Sequence, residues 1–307
     1  VNFNECEFIE CDVSNAKIDN VSFKSIQFKD CKLLGLHFET CNPFLLSFSF
    51  ANRFLEILKW QNLVSLLKKI TFFEALKQSL ASLTASLFTP NRVGEYGAKA
   101  FYYSKVHRKR ILLLNLLSNM AQMSATLLFG VIGFTLFYLQ YDTNIALYKI
   151  ARFLILLLMI GTFVIFGGKI NKFSIRGYSL EKLKKGIINI SKSIHIKNIL
   201  YSLFRYLVFS FQFYYLLKMF GVDVYYYNAM LVISSMYLIS SIIPTIFLLD
   251  VVVKGSIALF LFGIVGVNSL TILSIIMLMW ILNFVIPSFI GSAFVLSFDY
   301  RKIIPPQ

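Results

Sequence analysis

The chain has 307 residues, of which 57% are hydrophobic and 15% charged, with a mean hydropathy of +0.71 and a net charge of +15. So apolar a composition excludes an ordinary soluble domain and points to a protein that crosses a membrane several times. The positive excess does not make nucleic acid the default partner, because Lys and Arg of a membrane protein collect in cytoplasmic loops facing anionic headgroups.

The first fifty residues stand apart. Residues 1–52 hold four Lys and seven Asp/Glu, a balance of −3, which leaves +18 for the remainder. A large apolar residue recurs at every fifth position: Phe3, Phe8, Val13, Ile18, Phe23, Phe28, Leu33, Phe38 and Phe48, with Pro43 out of character. Two places before each lies a smaller set that includes Cys6, Cys11, Ala16, Cys31, Cys41 and Ala51. This period fits neither helix nor strand but suits a chain that turns a corner every five residues. All four cysteines fall in the small column, so burial accounts for them, and no C-x-x-C spacing suggests zinc. The sequence begins at Val1 in mid-repeat with no signal peptide and reads as a fragment. The quintets CEFIE, CDVSN, AKIDN, VSFKS, CKLLG and CNPFL resemble the pentapeptide-repeat family. That resemblance covers about residues 1–51 and implies a short right-handed quadrilateral β-helix of about twenty residues per coil, with a structural or partner-binding role.

From residue 54 the pattern is that of a mostly α, polytopic transmembrane helical bundle with broken or re-entrant helices. Phe54–Phe73 is amphipathic, with Lys59, Lys68 and Lys69, and reads as an interfacial helix. Glu74–Phe88 is rich in Ser, Ala and Thr, which suits close helix packing. Residues 63–104 are expected to form re-entrant or partial helices. Spans follow at about 111–139, 150–168, 199–220, 227–249, 251–266 and 269–298, with a basic loop at 169–198. Six spans put Lys105–Arg110, the Lys169–Lys197 loop and Arg301-Lys302 on one side, which the positive-inside rule makes cytoplasmic. The N-terminal module and the C-terminus are expected on that side too.

Ionisable residues inside a membrane are functional candidates. Arg92, Glu95 and Lys99 follow Pro90, and Asp250 and Lys254 follow Pro244. Each cluster sets an acid four residues before a Lys, on one helical face. Pro90, Gly94, Gly97, Pro244 and Pro287 are the expected helix breaks, and proline-broken segments in two halves point to a transporter-like site. The plainer reading makes these membrane-edge residues that pair with headgroups. No GxxxxGK loop occurs, and neither a metal site nor a cofactor is expected.

The stretch SLASLTASLFTPNRVGEYGAKAFYYSKVHRKR, with DVVVKGS and LNFVIPSFIGS, resembles the transmembrane region of lysylphosphatidylglycerol synthases, also called a flippase-like domain. The likeness runs from about residue 54 to the end. It implies an integral protein of the bacterial inner membrane that translocates or presents a polar (amino)phospholipid or lipid-linked headgroup. Thr89, Asn91, Arg92, Glu95, Tyr96, Lys99, Asp250 and Lys254 are then the expected headgroup contacts, converging in one polar cavity. Arg92 would hold a phosphate bidentately, and Glu95 or Asp250 would meet a cationic group, with Lys99 and Lys254 neutralising those acids when the site is empty. Family members usually start with one or two further spans, where this chain has its five-residue pattern. The soluble domain that makes the aminoacyl lipid in two-domain members is not part of the sequence, so synthase activity is not implied. Rival readings are a membrane glycosyltransferase using Glu95, Asp250 and Asp299, which lack a DxD spacing, and a scaffold recruiting a protein partner through the repeat. Membrane phospholipids are the expected partners.

Overall fold

The computed structural model describes residues 2–4, 6–12, 22–24, 27–29, 44–87, 89, 93–141, 174–175, 178–179, 190–243 and 247–298. The expected span 150–168, most of the 169–198 loop, and Pro90, Asn91, Arg92, Pro244, Cys31 and Cys41 lie outside them.

In the N-terminal segment, β1 (Asn2–Asn4) pairs in parallel with β3 (Ser22–Lys24), and β2 (Glu7–Ile9) with β4 (Gln27–Lys29). The registers are Phe3↔Phe23 and Phe8↔Phe28, so like positions of the five-residue pattern stack one above the other. In both pairs the partners are twenty residues apart in sequence. Lys29 forms an ion pair with Glu7 between the stacked strands. Cys6 and Cys11 carry thiols that are half-buried, not enclosed as expected. A further antiparallel pair, β5 (Ser174–Ile175) with β6 (Tyr178–Ser179), lies between the spans.

The rest is helical: α1 (Phe44–Val64), α2 (Phe72–Ser86), α3 (Val93–Phe101), α4 (Lys105–Gln140), α5 (Lys192–Met219), α6 (Tyr226–Ile242), α7 (Phe247–Ile264) and α8 (Ser269–Leu296). Local signals set their limits. Thr71 and Glu74 form a capping box on α2, and the Asn268 side chain caps α8 by accepting from the Leu270 and Thr271 N–H groups. Gly221 and Gly266 adopt φ of +72° and +79° after α5 and α7. There the Val222 N–H reaches the Leu217 carbonyl and the Val267 N–H the Phe262 carbonyl, closing both ends as Schellman motifs. Ile243 is extended (φ −87°, ψ 114°), as expected before a proline. That is why α6 stops at Ile242 instead of reaching 249, and Leu249 and Asp250 open α7.

Several expectations need correction. Residues 44–51 belong to α1 and not to the β-segment, and α1 is not interfacial. It packs against α5, α2 and α4, with Trp60, Leu63 and Lys59 fully buried. Pro287 and the two glycines of α3 are not breaks either. Pro287 lacks the N–H that would bond the carbonyl of residue 283, and α8 passes through a π turn at Ile281–Val285 without stopping.

The helix directions follow from contacts. Asn198 bonds the Leu117 carbonyl, Gln122 the Ser202 carbonyl, and Phe129 stacks on Tyr206, so α4 and α5 run parallel. Ile111 and Leu114 near the start of α4 share an apolar cluster with Ile190 and Ile194 near the start of α5. The end of α8 joins them, with the Phe298 ring 4.7 Å from that of Tyr102. The basic starts of α4 and α5 and the chain before Arg301-Lys302 therefore share one end of the bundle. Helix α1 is antiparallel to α5: Ser49 meets Gln212, Glu56 meets Arg205 and Asn62 meets the Ile194 carbonyl. Its 21 residues, about 30 Å long, start at the end away from the basic segments. The N-terminal approach to α1 was expected on the basic side.

Apolar side chains fill much of the core and also cover the outer surface. Lys59, Lys99, Asn115 and Gln212 are fully enclosed, while Leu139, Leu270, Phe289 and Leu296 are at least 75% exposed. Hydrocarbon favours so apolar an exterior. By length and composition α4 and α8 are long and apolar enough to cross a membrane.

Candidate functional site

Between α1 and helices α3 to α8 lies a cavity of about 460 Å³. Glu95 and Tyr96 of α3 line one wall and Asp250 and Lys254 of α7 another, whereas Lys99 is not among the lining residues. The Lys99 ammonium sits 2.7 Å from the Glu95 carboxylate, 2.9 Å from Asn115 Oδ1 and 4.4 Å from the Trp60 ring centre. A fully buried ammonium is costly unless it is paired and hydrogen-bonded, and here a carboxylate, an amide and a π face share it. Asp250 and Lys254 pair at 2.7 Å with side chains about a quarter exposed, so this pair is the wetter of the two. Tyr96 accepts from Asn119 Nδ2 at 2.9 Å.

Thr89 is not among the cavity residues. Its hydroxyl donates to the Ser86 carbonyl and accepts from the Gly94 N–H, joining α2 to α3. Gly94 serves the same junction, because a Cβ there would fall 2.6 Å from the Ala85 carbonyl oxygen. Gly97 has open space around it.

The sequence reading missed the richest part of the wall. Arg205 of α5 forms an ion pair with Glu56, donates to Asn52 Oδ1 at 2.9 Å and to Gln122 Oε1 at 3.3 Å. Lys59 lies 3.3 Å from Glu56 and donates to the Ser118 carbonyl. Asn52 donates to Asn283 Oδ1, Asn283 to Gln212 Oε1, and Gln212 to Ser49 Oγ, which ties α1, α8 and α5 together. Arg53 donates to the Asn283 carbonyl, the one that Pro287 cannot bond. The signal was present: Ser49, Asn52, Glu56 and Lys59 recur at three- and four-residue steps, a polar stripe on one face of an apolar helix. Arg205 likewise stands alone in the apolar run YSLFRYLVF.

A cavity with acids, bases and amides, walled by helices whose outer faces are apolar, is a polar compartment within a membrane domain. A family model described as the lysylphosphatidylglycerol synthase TM region matches residues 24–291. The chain belongs to this family. No curated protein and no solved structure matches the sequence. The matched region of the lysylphosphatidylglycerol synthase TM family begins well before residue 54 and takes in the whole of α1. It also starts within the segment that carries the five-residue pattern. Both predicted charge clusters and the α1 network lie inside the matched residues.

Proposed function

We propose that this membrane protein translocates or presents the polar headgroup of an (amino)phospholipid or lipid-linked compound at the cavity bounded by Glu95, Arg205, Asp250 and Lys254. The observation that supports this best is the cavity itself: both signs of charge, enclosed in a bundle with an apolar exterior. A headgroup in hydrocarbon loses its hydration, and an unpaired charge there is expensive. Fixed partners along its path reduce that cost. Arg205 suits a phosphate, and Glu95 and Asp250 suit an ammonium, each already held by a partner that a headgroup would replace.

The end that gathers the basic starts of α4 and α5 then faces the cytoplasm of a bacterial inner membrane. The start of α1 faces the other side, and the five-residue segment, read as a pentapeptide-repeat coil, offers a structural or partner-binding surface there. The test is transbilayer movement of phosphatidylglycerol and of its aminoacylated form in proteoliposomes of the full chain. Movement above that of empty vesicles, reduced in the Asp250→Asn/Lys254→Gln variant, is the expected result. Parent vesicles that match empty ones for both lipids contradict the reading.

A further inference from the structure

A second cavity, of about 310 Å³, lies between α1, α2 and the C-terminal half of α8. It differs from the first in kind. Phe54, Ile57, Leu76, Leu80, Ile286 and Ile290 make up most of its wall. Its rim opens on the outer surface of the bundle, where Phe50, Phe54 and Ile290 are 63%, 49% and 45% exposed. One charged side chain, Arg53, borders both this chamber and the polar cavity. The π turn of α8 forms the partition, with Leu282 on the apolar side and Asn283 and Phe284 on the polar side. Arg53 is anchored at that neck by the Asn283 carbonyl and lies 5.5 Å from the Phe284 ring centre.

We infer that Arg53 binds the phosphate of an anionic phospholipid whose acyl chain lies in the apolar chamber while its headgroup enters the polar cavity. This rests on the functional reading above and names the part of the lipid that the second chamber takes. The juxtaposition is that of an amphiphile: an apolar slot open to the bilayer, a polar cavity beyond it, and a guanidinium where the two meet. A glycerophospholipid carries its phosphate at the same junction between chain and headgroup. The planar fork of Arg matches two phosphate oxygens at once. A free phosphate would leave the apolar slot unused, and an uncharged lipid would offer the Arg53 fork no anionic oxygens.

The experiment uses the full chain in vesicles with two photoactivatable probes, phosphatidylglycerol and diacylglycerol, each with a diazirine on one acyl chain. Crosslinks are mapped by mass spectrometry. The phosphatidylglycerol probe should label Phe54, Leu76 and Ile290. Labelling should drop about tenfold in Arg53→Gln and be partly restored in Arg53→Lys, since a point charge replaces the fork. Diacylglycerol should label the same residues weakly, and equally in parent and Arg53→Gln. Leu76→Trp, which fills the slot with Arg53 intact, should also lose the label, so the inference does not hang on one variant's folding. Equal labelling of parent and Arg53→Gln, equal labelling by the two probes, or full competition by inorganic phosphate alone overturns the assignment. Lipid movement is read in the same vesicles. Movement with no chamber label removes the inference and leaves the functional reading, whereas chamber label with no movement does the reverse.

Discussion

Lys99 is fully buried, and its position is tolerable only because Glu95, Asn115 and Trp60 surround it. Removing one member of such a pair leaves a charge stranded and typically costs about 3–5 kcal/mol, whereas replacing both with neutral groups is often neutral. Lys99→Met should therefore destabilise the purified protein by about that amount, and Glu95→Gln/Lys99→Met should recover most of the loss in the same denaturation assay. A double variant no more stable than the single would show that the pairing matters little. The pair was legible in the sequence because Glu and Lys four apart stand out after a proline. The Glu56, Lys59 and Arg205 cluster was not read for a physical reason. An amphipathic stripe tells that one face is polar, not whether that face meets water or protein. In a membrane the second answer is open, and packing of α1 in the bundle centre decides it.

At the scale of elements, the helices α4, α5, α7 and α8 fall on the long apolar runs of the sequence, and Gly221 and Gly266 close α5 and α7. Close approach was harder to read, since a glycine that ends a helix and one that admits a neighbour look alike in one sequence. Gly94 admits a neighbour, and Gly97, inside α3, does neither. Gly94→Ala should push α3 from α2, because its Cβ would meet the Ala85 carbonyl. Gly97→Ala, with nothing near it, should be neutral or stabilise by up to about 1 kcal/mol, the usual gain of Ala over Gly within a helix. Comparable losses of thermal stability in both variants would contradict this account of the α2–α3 junction. Thr84 of α2 donates to the Ser288 carbonyl of α8 across a similar contact, where Gly291 leaves room for the α2 backbone. The Ser- and Ala-rich composition of α2 did predict that kind of packing.

For the whole molecule, the direction of α1 places its start opposite the basic ends of α4 and α5, a relation that counting spans from residue 54 could not yield. All four native cysteines precede residue 42, so a membrane-impermeant maleimide reports on the N-terminal segment alone. Spheroplasts with an intact membrane should label Cys6 and Cys11 from outside, and a cysteine-free chain carrying His107→Cys should label only after permeabilisation. The reverse pattern would invert the orientation, and labelling of both from one side would contradict the crossing of α1. The central claim is that the polar cavity is the route taken by the lipid headgroup, and a plug tests it most directly. Thr126 lines the cavity on α4, while Leu139 of the same helix is 75% exposed on the outer surface. In proteoliposomes with equal amounts of inserted protein, Thr126→Trp should abolish transbilayer movement of phosphatidylglycerol and Leu139→Trp should leave it at the parent rate. Parent-like movement with Thr126→Trp would contradict the claim.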